Sequence, residues 1–430
     1  MIESKYKSTP FLKKLLWLYF LLLLFEGALR KWVFPGLATP LLIIRDPLAV
    51  WLIIVSWRKG ILEINIYVTL MMLIGVFATF TAILLGHGNL FVALYGARIF
   101  LIHFPLLFVI GKLFDKEDVE RIGAFMLWVS IPMTFLLIVQ FYSPQSAYVN
   151  RGVGGDLNGS GFSGALGYYR ASTTFSFSTG TVAFYHLLGC YICYFWLSPS
   201  KRIPKYILVF TSILLVLAVP LSISRTLFFS VILLLIFTIF AVAVNKGSIL
   251  KIIGVAVVLF VIIMLVSQLE VFQTATNVFT TRFTDANQVE GGVQSVLADR
   301  YLGGLVSALL APDELPFFGY GLGMGTNVGS VLMSGKIEFL ISEGEWGRLV
   351  GELGFSIGII VIIVRLIVSV KITIASWHDL KYGNTLPWIL LCFCLLTLPQ
   401  GQWAQPTSLG FSIFVAGLTI SSLRSTKGSS

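Results

Sequence analysis

The chain has 430 residues, 57% of them hydrophobic and only 12% charged, with a formal net charge of +10. Roughly half the charge of an ordinary soluble domain is missing, which excludes a soluble globular domain. Apolar runs of roughly 18 or more residues recur along the chain, each able to cross about 30 Å of hydrocarbon as a helix, where a barrel would show alternating strands of about 10.

Lys5, Lys7, Lys13 and Lys14 lead into the first run, near 13–33. This run holds Glu26 and Arg30 and lacks a small-residue cleavage site, so it reads as a span rather than a cleaved signal peptide. The second run, 37–57, is interrupted by Arg45-Asp46-Pro47. These charges either neutralise one another between the two spans or meet a lipid headgroup or substrate. Runs near 66–86, 91–111 and 121–141 precede a glycine- and serine-rich loop, 142–178, carrying Arg151, Asp156 and Arg170. Runs near 179–198, 205–222, 226–244 and 249–269 follow. A long polar stretch, 270–345, then separates them from runs near 346–370, 386–400 and 407–423.

The expected fold is an all-α polytopic membrane protein, a single integral-membrane domain of about twelve transmembrane helices. Basic residues gather in alternate loops, at Arg58-Lys59, Lys112 to Arg121, Lys201 to Lys205, Lys246 to Lys251, Lys371 to Lys381 and Arg424 to Lys427. That side is cytoplasmic by the positive-inside rule, with both termini inside and Arg30-Lys31 as the main exception. The loops 142–178 and 270–345 then face the periplasm. Within the latter, Leu297, Tyr301, Leu305 and Leu309 recur near helical spacing, which predicts an amphipathic interfacial helix over 294–310, ended by Pro312 and Pro316.

The positive charge is assigned to this bias and to anionic membrane lipids, not to nucleic acid. Cys190, Cys193, Cys392 and Cys394 all lie in apolar runs and read as packing residues. No His, Cys and carboxylate cluster has metal-ligand spacing, so no metal or cofactor is expected.

The residues able to carry chemistry lie at the edges of the polar stretch. Arg225, in Ser222-Ile-Ser-Arg225-Thr, stands where one span turns into the next. Its planar fork suits a phosphate, although an arginine there also snorkels to headgroups. Arg282 and Arg300 in the large loop, with Arg151 and Arg170 in the smaller one, offer a basic mouth or simply solvated charge. Gly319-Tyr-Gly321-Leu-Gly323-Met-Gly325 either presents amides to an anion or makes a tight re-entry turn. Glu345 and Arg348 have ion-pair spacing and otherwise contact substrate, with Glu352 on the same face. Glu343 precedes that helix without a cation at i+4, and is the best candidate for a general base on a sugar hydroxyl.

Ser222-Ile-Ser-Arg225, then Pro316-Phe-Phe-Gly319-Tyr-Gly321-Leu-Gly323, then Gly351-Glu352-Leu-Gly354 occur in the order seen in the O-antigen ligase and polymerase family of bacterial membrane glycosyltransferases. The chain resembles that family over about 220–370 by motif and over most of its length by span count. The resemblance implies a protein of the inner membrane, acting at its periplasmic face. It would take glycan from an undecaprenyl-diphosphate carrier and pass it to a glycan or lipid acceptor, alongside other polysaccharide assembly proteins. It also implies that Arg225, with Arg282 or Arg300, holds the diphosphate. Ligases of the family carry His-Asn where this chain has Glu343-Gly344, so a polymerase is the expected activity. A transporter or flippase of lipid-linked glycans is the alternative, with Arg45, Asp46 and Arg98 as its polar groups.

Overall fold

The computed structural model describes residues 9–63, 65–200, 202–244, 254, 264, 267–289, 315–336 and 339–423. Over these the chain is almost wholly helical. Seven helices are long and apolar enough to cross a membrane, namely Pro35–Arg58, Ile66–Leu84, Leu90–Leu113, Lys116–Tyr142, Ser178–Leu197, Arg225–Val244 and Phe355–Lys381. The fold is that of an all-α polytopic membrane protein.

We number the helices α1 (Thr9–Ala28), α2 (Arg45–Arg58, the body of the Pro35–Arg58 span), α3 (Ile66–Leu84), α4 (Leu90–Leu113) and α5 (Lys116–Tyr142). After the loop 142–178 come α6 (Ser178–Leu197), α7 (Lys205–Leu221) and α8 (Arg225–Val244). The remainder are α9 (Glu270–Val289), α10 (Asn327–Ser334), α11 (Glu345–Leu353), α12 (Phe355–Lys381), α13 (Leu386–Thr397) and α14 (Pro406–Ser422). The loop 142–178 holds a small antiparallel hairpin, β1 (Phe162–Ser163) on β2 (Tyr169–Arg170). The expected span at 249–269 lies almost entirely outside the described residues, and the expected interfacial helix at 294–310 wholly so.

Local chemistry sets several helix starts. Asn65 accepts from the amides of Tyr67 and Val68 to open α3, and Asn89 does the same for Phe91 and Val92 of α4. Asp115 and Asp118 form a reciprocal capping box at α5. Each such cap supplies about 1 kcal/mol. Two helices depart from α geometry. The end of α1 continues into a π-helical turn at Leu29–Val33, and α4 widens into another at Ile99–His103. Turns of this kind shift the register of side chains and often accompany functional sites.

Helices α4, α6 and α14 are largely buried within the bundle. Lipid tails are as apolar as leucine, so helices in a bilayer associate through close packing and interhelical hydrogen bonds. The α4–α14 contact shows both. Gly417 lies against Ile110 and Gly111 against Ile420, so each helix offers a glycine to the other's isoleucine. The Ser421 hydroxyl donates to the Ile110 carbonyl at 3.0 Å.

Two elements differ from the sequence expectation. The tenth run does not start a single helix at 346. α11 is a separate short helix, and Gly354, at φ +77°, breaks the chain before α12 begins at Phe355. A side chain at 354 would collide with the Phe317 carbonyl, so the break comes from contact with a segment distant in sequence. The stretch from 270 also begins as a helix rather than a loop. Phe272, Ala275, Val278 and Phe279 give α9 an apolar face at i, i+3/i+4 spacing, and that face packs along α7.

Candidate functional site

The glycine run is a packed joint. Gly319, Gly321 and Gly323 have φ of +72°, +111° and +92°, which lets the chain fold back on itself. The Tyr320 and Gly321 amides donate to the carbonyls of Gly351 and Glu352 in α11, at 2.8 and 3.1 Å. Gly321 lies beside His87, whose Nε2 is 3.1 Å from the Leu322 carbonyl, and Gly323 presses onto the backbone of Val92 and Gly96 in α4. One amide of the run does meet an anion, but an internal one. Gly325 donates to Glu352 Oε1 at 2.8 Å. Gly321 and Gly323 thus lie in a tight turn packed on α4 and α11.

α11 carries a buried ion network. Arg348 grips Glu345 through Nε and Nη2 at 3.0 and 2.9 Å, and Glu352 through Nη1 at 2.6 Å. Arg365 of α12 reaches the same Glu345 at 2.6 Å and donates to the carbonyls of Leu398 and Gly401. Its guanidinium lies 3.7 Å from the Trp403 ring centroid, and the Trp403 amide donates to Glu345 at 3.1 Å. All four charged side chains are buried. Arg348 and Glu345, expected to bind substrate or to pair, are thus paired, and their charge is directed at each other. Arg365 was not singled out from sequence. Its only signal was a lone charge inside an apolar run.

Burial pushes the Glu345 carboxyl up, but Arg348 and Arg365 override it and hold it below its ordinary value of 4.5. A depressed carboxyl contributes stability above pH 4.5 that is lost as pH falls through the lowered value. The contribution of this group to the thermal midpoint should therefore be constant between pH 8 and pH 5 and fall away in an acid limb below pH 4.5. That limb should shrink in Glu345→Gln. Identical acid limbs in the two proteins would refute the assignment.

Beside the network is a narrow crevice lined by Gly325, Asn327, Ser342, Glu343, Gln402 and Gln405, with Glu345 and Arg348 at its floor. Glu343 is exposed, and its backbone carbonyl accepts from Gln402 Nε2 at 2.9 Å. Gln405 donates to the Gln402 side chain at 2.8 Å and accepts from Thr179 at the start of α6. The segment 398–406 therefore joins the crevice, the α11 network and, through the Pro406 carbonyl, Arg45 of α2.

Arg225 opens α8, half-buried, after a strained turn. Ile223 is buried with φ +48°, a costly conformation for a β-branched residue, and it packs against Gly164 of the loop 142–178. One turn on, the Phe228 ring meets Phe279 and Phe283 of α9 at centroid distances of 5.7 and 6.1 Å. Arg282, half-buried, stands on α9 next to Phe283. Helices α6 to α9 line an open apolar pocket of about 520 Å³, bordered by Val219, Phe228, Leu235, Phe272, Phe279 and neighbours. Arg170 is on β2 opposite Phe162, with its guanidinium 5.6 Å from that ring. Arg300 lies outside the described residues. The expected site residues thus fall into two groups: Glu343, Glu345 and Arg348 around the crevice, Arg225 and Arg282 near the pocket.

A second buried charge cluster joins α1, α2 and α4. Glu26 pairs with Arg45 at 2.9 Å and Arg30 at 3.6 Å, and Asp46 pairs with Arg98 at 2.8 Å and with His103 Nε2 at 3.0 Å. The Tyr19 hydroxyl is 3.4 Å from His103 Nδ1. Lys31 reaches Ser172 Oγ and the Thr173 carbonyl, while Arg30 donates to Ser176 Oγ. The sequence marks Glu26, Arg30, Arg45 and Asp46 as potential partners. It leaves His103 isolated, because its partner is 57 residues away. Compared with protein families and with characterised proteins, the chain matches no family model and no curated protein.

Proposed function

We propose that the protein is a glycosyltransferase of the bacterial cytoplasmic membrane. On this reading about twelve spans set the loops 142–178 and 270–345 at the periplasmic face. It extends glycan from an undecaprenyl-diphosphate-linked donor, as a polymerase rather than a ligase. The observation that carries the reading is the division of labour among three carboxylates. Glu345 and Glu352 are bound to arginines, whereas Glu343 has no ion-pair partner among the described residues and borders a narrow crevice lined by Asn327, Ser342, Gln402 and Gln405 beside Phe339 and Ala404. Such a lining suits a sugar hydroxyl, and a carboxylate beside it suits its proton. The apolar pocket near Phe228 supports a place for the polyprenyl chain, with Arg225 and Arg282 toward its diphosphate.

In the proposed reaction the acceptor hydroxyl attacks the anomeric carbon of the donor while Glu343 takes its proton. The bond from that carbon to the diphosphate oxygen breaks, and the electron pair leaves with the lipid diphosphate. Arg225 and a loop arginine stabilise the charge that develops there. A single displacement inverts the anomeric centre.

Cells making the polymer provide the test. Glu343→Gln should lower polymer yield by about 100-fold or more, the usual contribution of a general base. Arg225→Ala should shorten or abolish the polymer. Both variants should reach the membrane at wild-type level. Wild-type polymer length and amount in both, at equal protein level, would sink these roles.

A further inference from the structure

The buried cluster of α1, α2 and α4 carries more positive charge than it neutralises. Arg30, Lys31, Arg45 and Arg98 are all buried, and the carboxylates that meet them are Glu26 and Asp46. Lys31, 1% exposed, has no carboxylate partner among the described residues. It has a hydroxyl, a carbonyl and, at 4.5 Å, the Trp32 ring. Two buried donors are also left over. Arg45 Nη1 and the Tyr95 hydroxyl have no hydrogen-bond partner. Arg45 Nη1 lies against Gly410 of α14, where any side chain would displace it. The Arg98 guanidinium sits 3.8 Å from the Tyr95 ring centroid.

An uncompensated buried charge is among the most expensive features a membrane protein can hold, and orphaned buried donors add to that cost. An anion bearing several acceptor oxygens offers partners to both kinds of group. The first turn of α14, with its positive dipole end, adds to the attraction. The π-helical turns at Leu29–Val33 and Ile99–His103 widen the two helices at this level. From these observations we infer that the cluster is an anion site of the phosphate class, separate from the crevice at Glu343. Arg30, Lys31, Arg45 and Tyr95 supply its donors. A phosphate-bearing lipid headgroup and free pyrophosphate share the chemistry it recognises. The inference does not rest on glycan transfer, and stands or falls by binding alone.

The full chain, purified in neutral detergent, is titrated with inorganic pyrophosphate while its thermal midpoint is followed. In parallel, native mass spectrometry records what stays bound after extraction from membranes. Saturable stabilisation by pyrophosphate supports a site open to the free anion. A retained phosphate-containing lipid without a response to pyrophosphate supports the headgroup as occupant. Lys31→Met is the chosen variant, because it removes the unbalanced cation and strands no carboxylate. It should fold, with an unchanged or raised midpoint in the absence of anion, and weaken pyrophosphate binding at least tenfold or lose the retained lipid. Arg121→Ala, which removes an exposed cation paired with Glu117 in the first turns of α5, should keep both. Absence of both pyrophosphate stabilisation and retained phosphate in the wild-type protein would overturn the proposal. So would wild-type binding by Lys31→Met.

Discussion

Glu345→Gln should destabilise the protein by about 3–5 kcal/mol, the usual cost of removing one partner from a buried ion pair. The size follows from the connectivity. Glu345 accepts from Arg348, Arg365 and the Trp403 amide, and all the charged side chains of the network are buried. Its loss leaves two buried guanidinium groups with Glu352 as their only remaining carboxylate among the described residues, and Glu352 bonds Arg348. An amide oxygen can accept a hydrogen bond but cannot neutralise the second cation. Adding Arg365→Met to Glu345→Gln removes the stranded charge and should recover part of the loss. The non-additivity should be about 0.5–3 kcal/mol, as for residues sharing one network. Thermal or denaturant unfolding of the four proteins in one detergent measures it. A single variant within 1 kcal/mol of wild type would show that the network does not hold α11 to α12. Glu343→Gln, in the exposed crevice, should leave the midpoint unchanged, which separates loss of chemistry from loss of fold.

The helical membrane class was legible because a bilayer forces each span to satisfy its own backbone and to stay apolar for its full length. Nothing comparable marks a boundary set by distant contact. Gly354 was legible as a motif glycine inside an expected span but not as a helix boundary, yet the Phe317 carbonyl behind it ends α11 there. Ion pairs were legible at helical spacing. Glu345 with Arg348 and Glu26 with Arg30 are examples, and both are present. Pairs formed across helices were not. Arg365 lies 20 residues from Glu345 and Arg98 lies 52 from Asp46, so no periodicity connects them. The glycine run could be recognised as a turn or an anion cradle but not decided, because Glu352, the anion at Gly325, approaches from another element. The distinction between Glu343 and its neighbours was half visible. The sequence shows that it lacks a partner at i+4, and the fold adds that the neighbouring carboxylates are occupied.

Gly323→Ala should be the most damaging single methyl addition in the re-entry segment, and Gly335→Ala is its natural control. Both glycines have left-handed φ, +92° and +75°. Gly335 ends α10 as its C-cap and has nothing within contact of the position a methyl would take. Alanine there costs only the left-handed conformation, about 1–2 kcal/mol. At Gly323 the methyl would in addition enter the space of the Val92 carbonyl oxygen, backbone that cannot swing aside as a side chain can. Overpacking of that kind adds about 1–3 kcal/mol, for a total of roughly 2–5 kcal/mol. Relief by withdrawing the joint from α4 would drag Gly325 off Glu352 and shift Thr326, whose hydroxyl caps α10 through the Gly329 amide. Asn327 and Gly325 line the crevice beside Glu343, so on the proposed reading the same displacement should lower polymer formation more than Gly335→Ala does. Unfolding midpoints and polymer yield of the two variants, compared side by side, decide the matter. Equal effects of the two substitutions would mean that close backbone approach at Gly323 is not what holds this joint on α4.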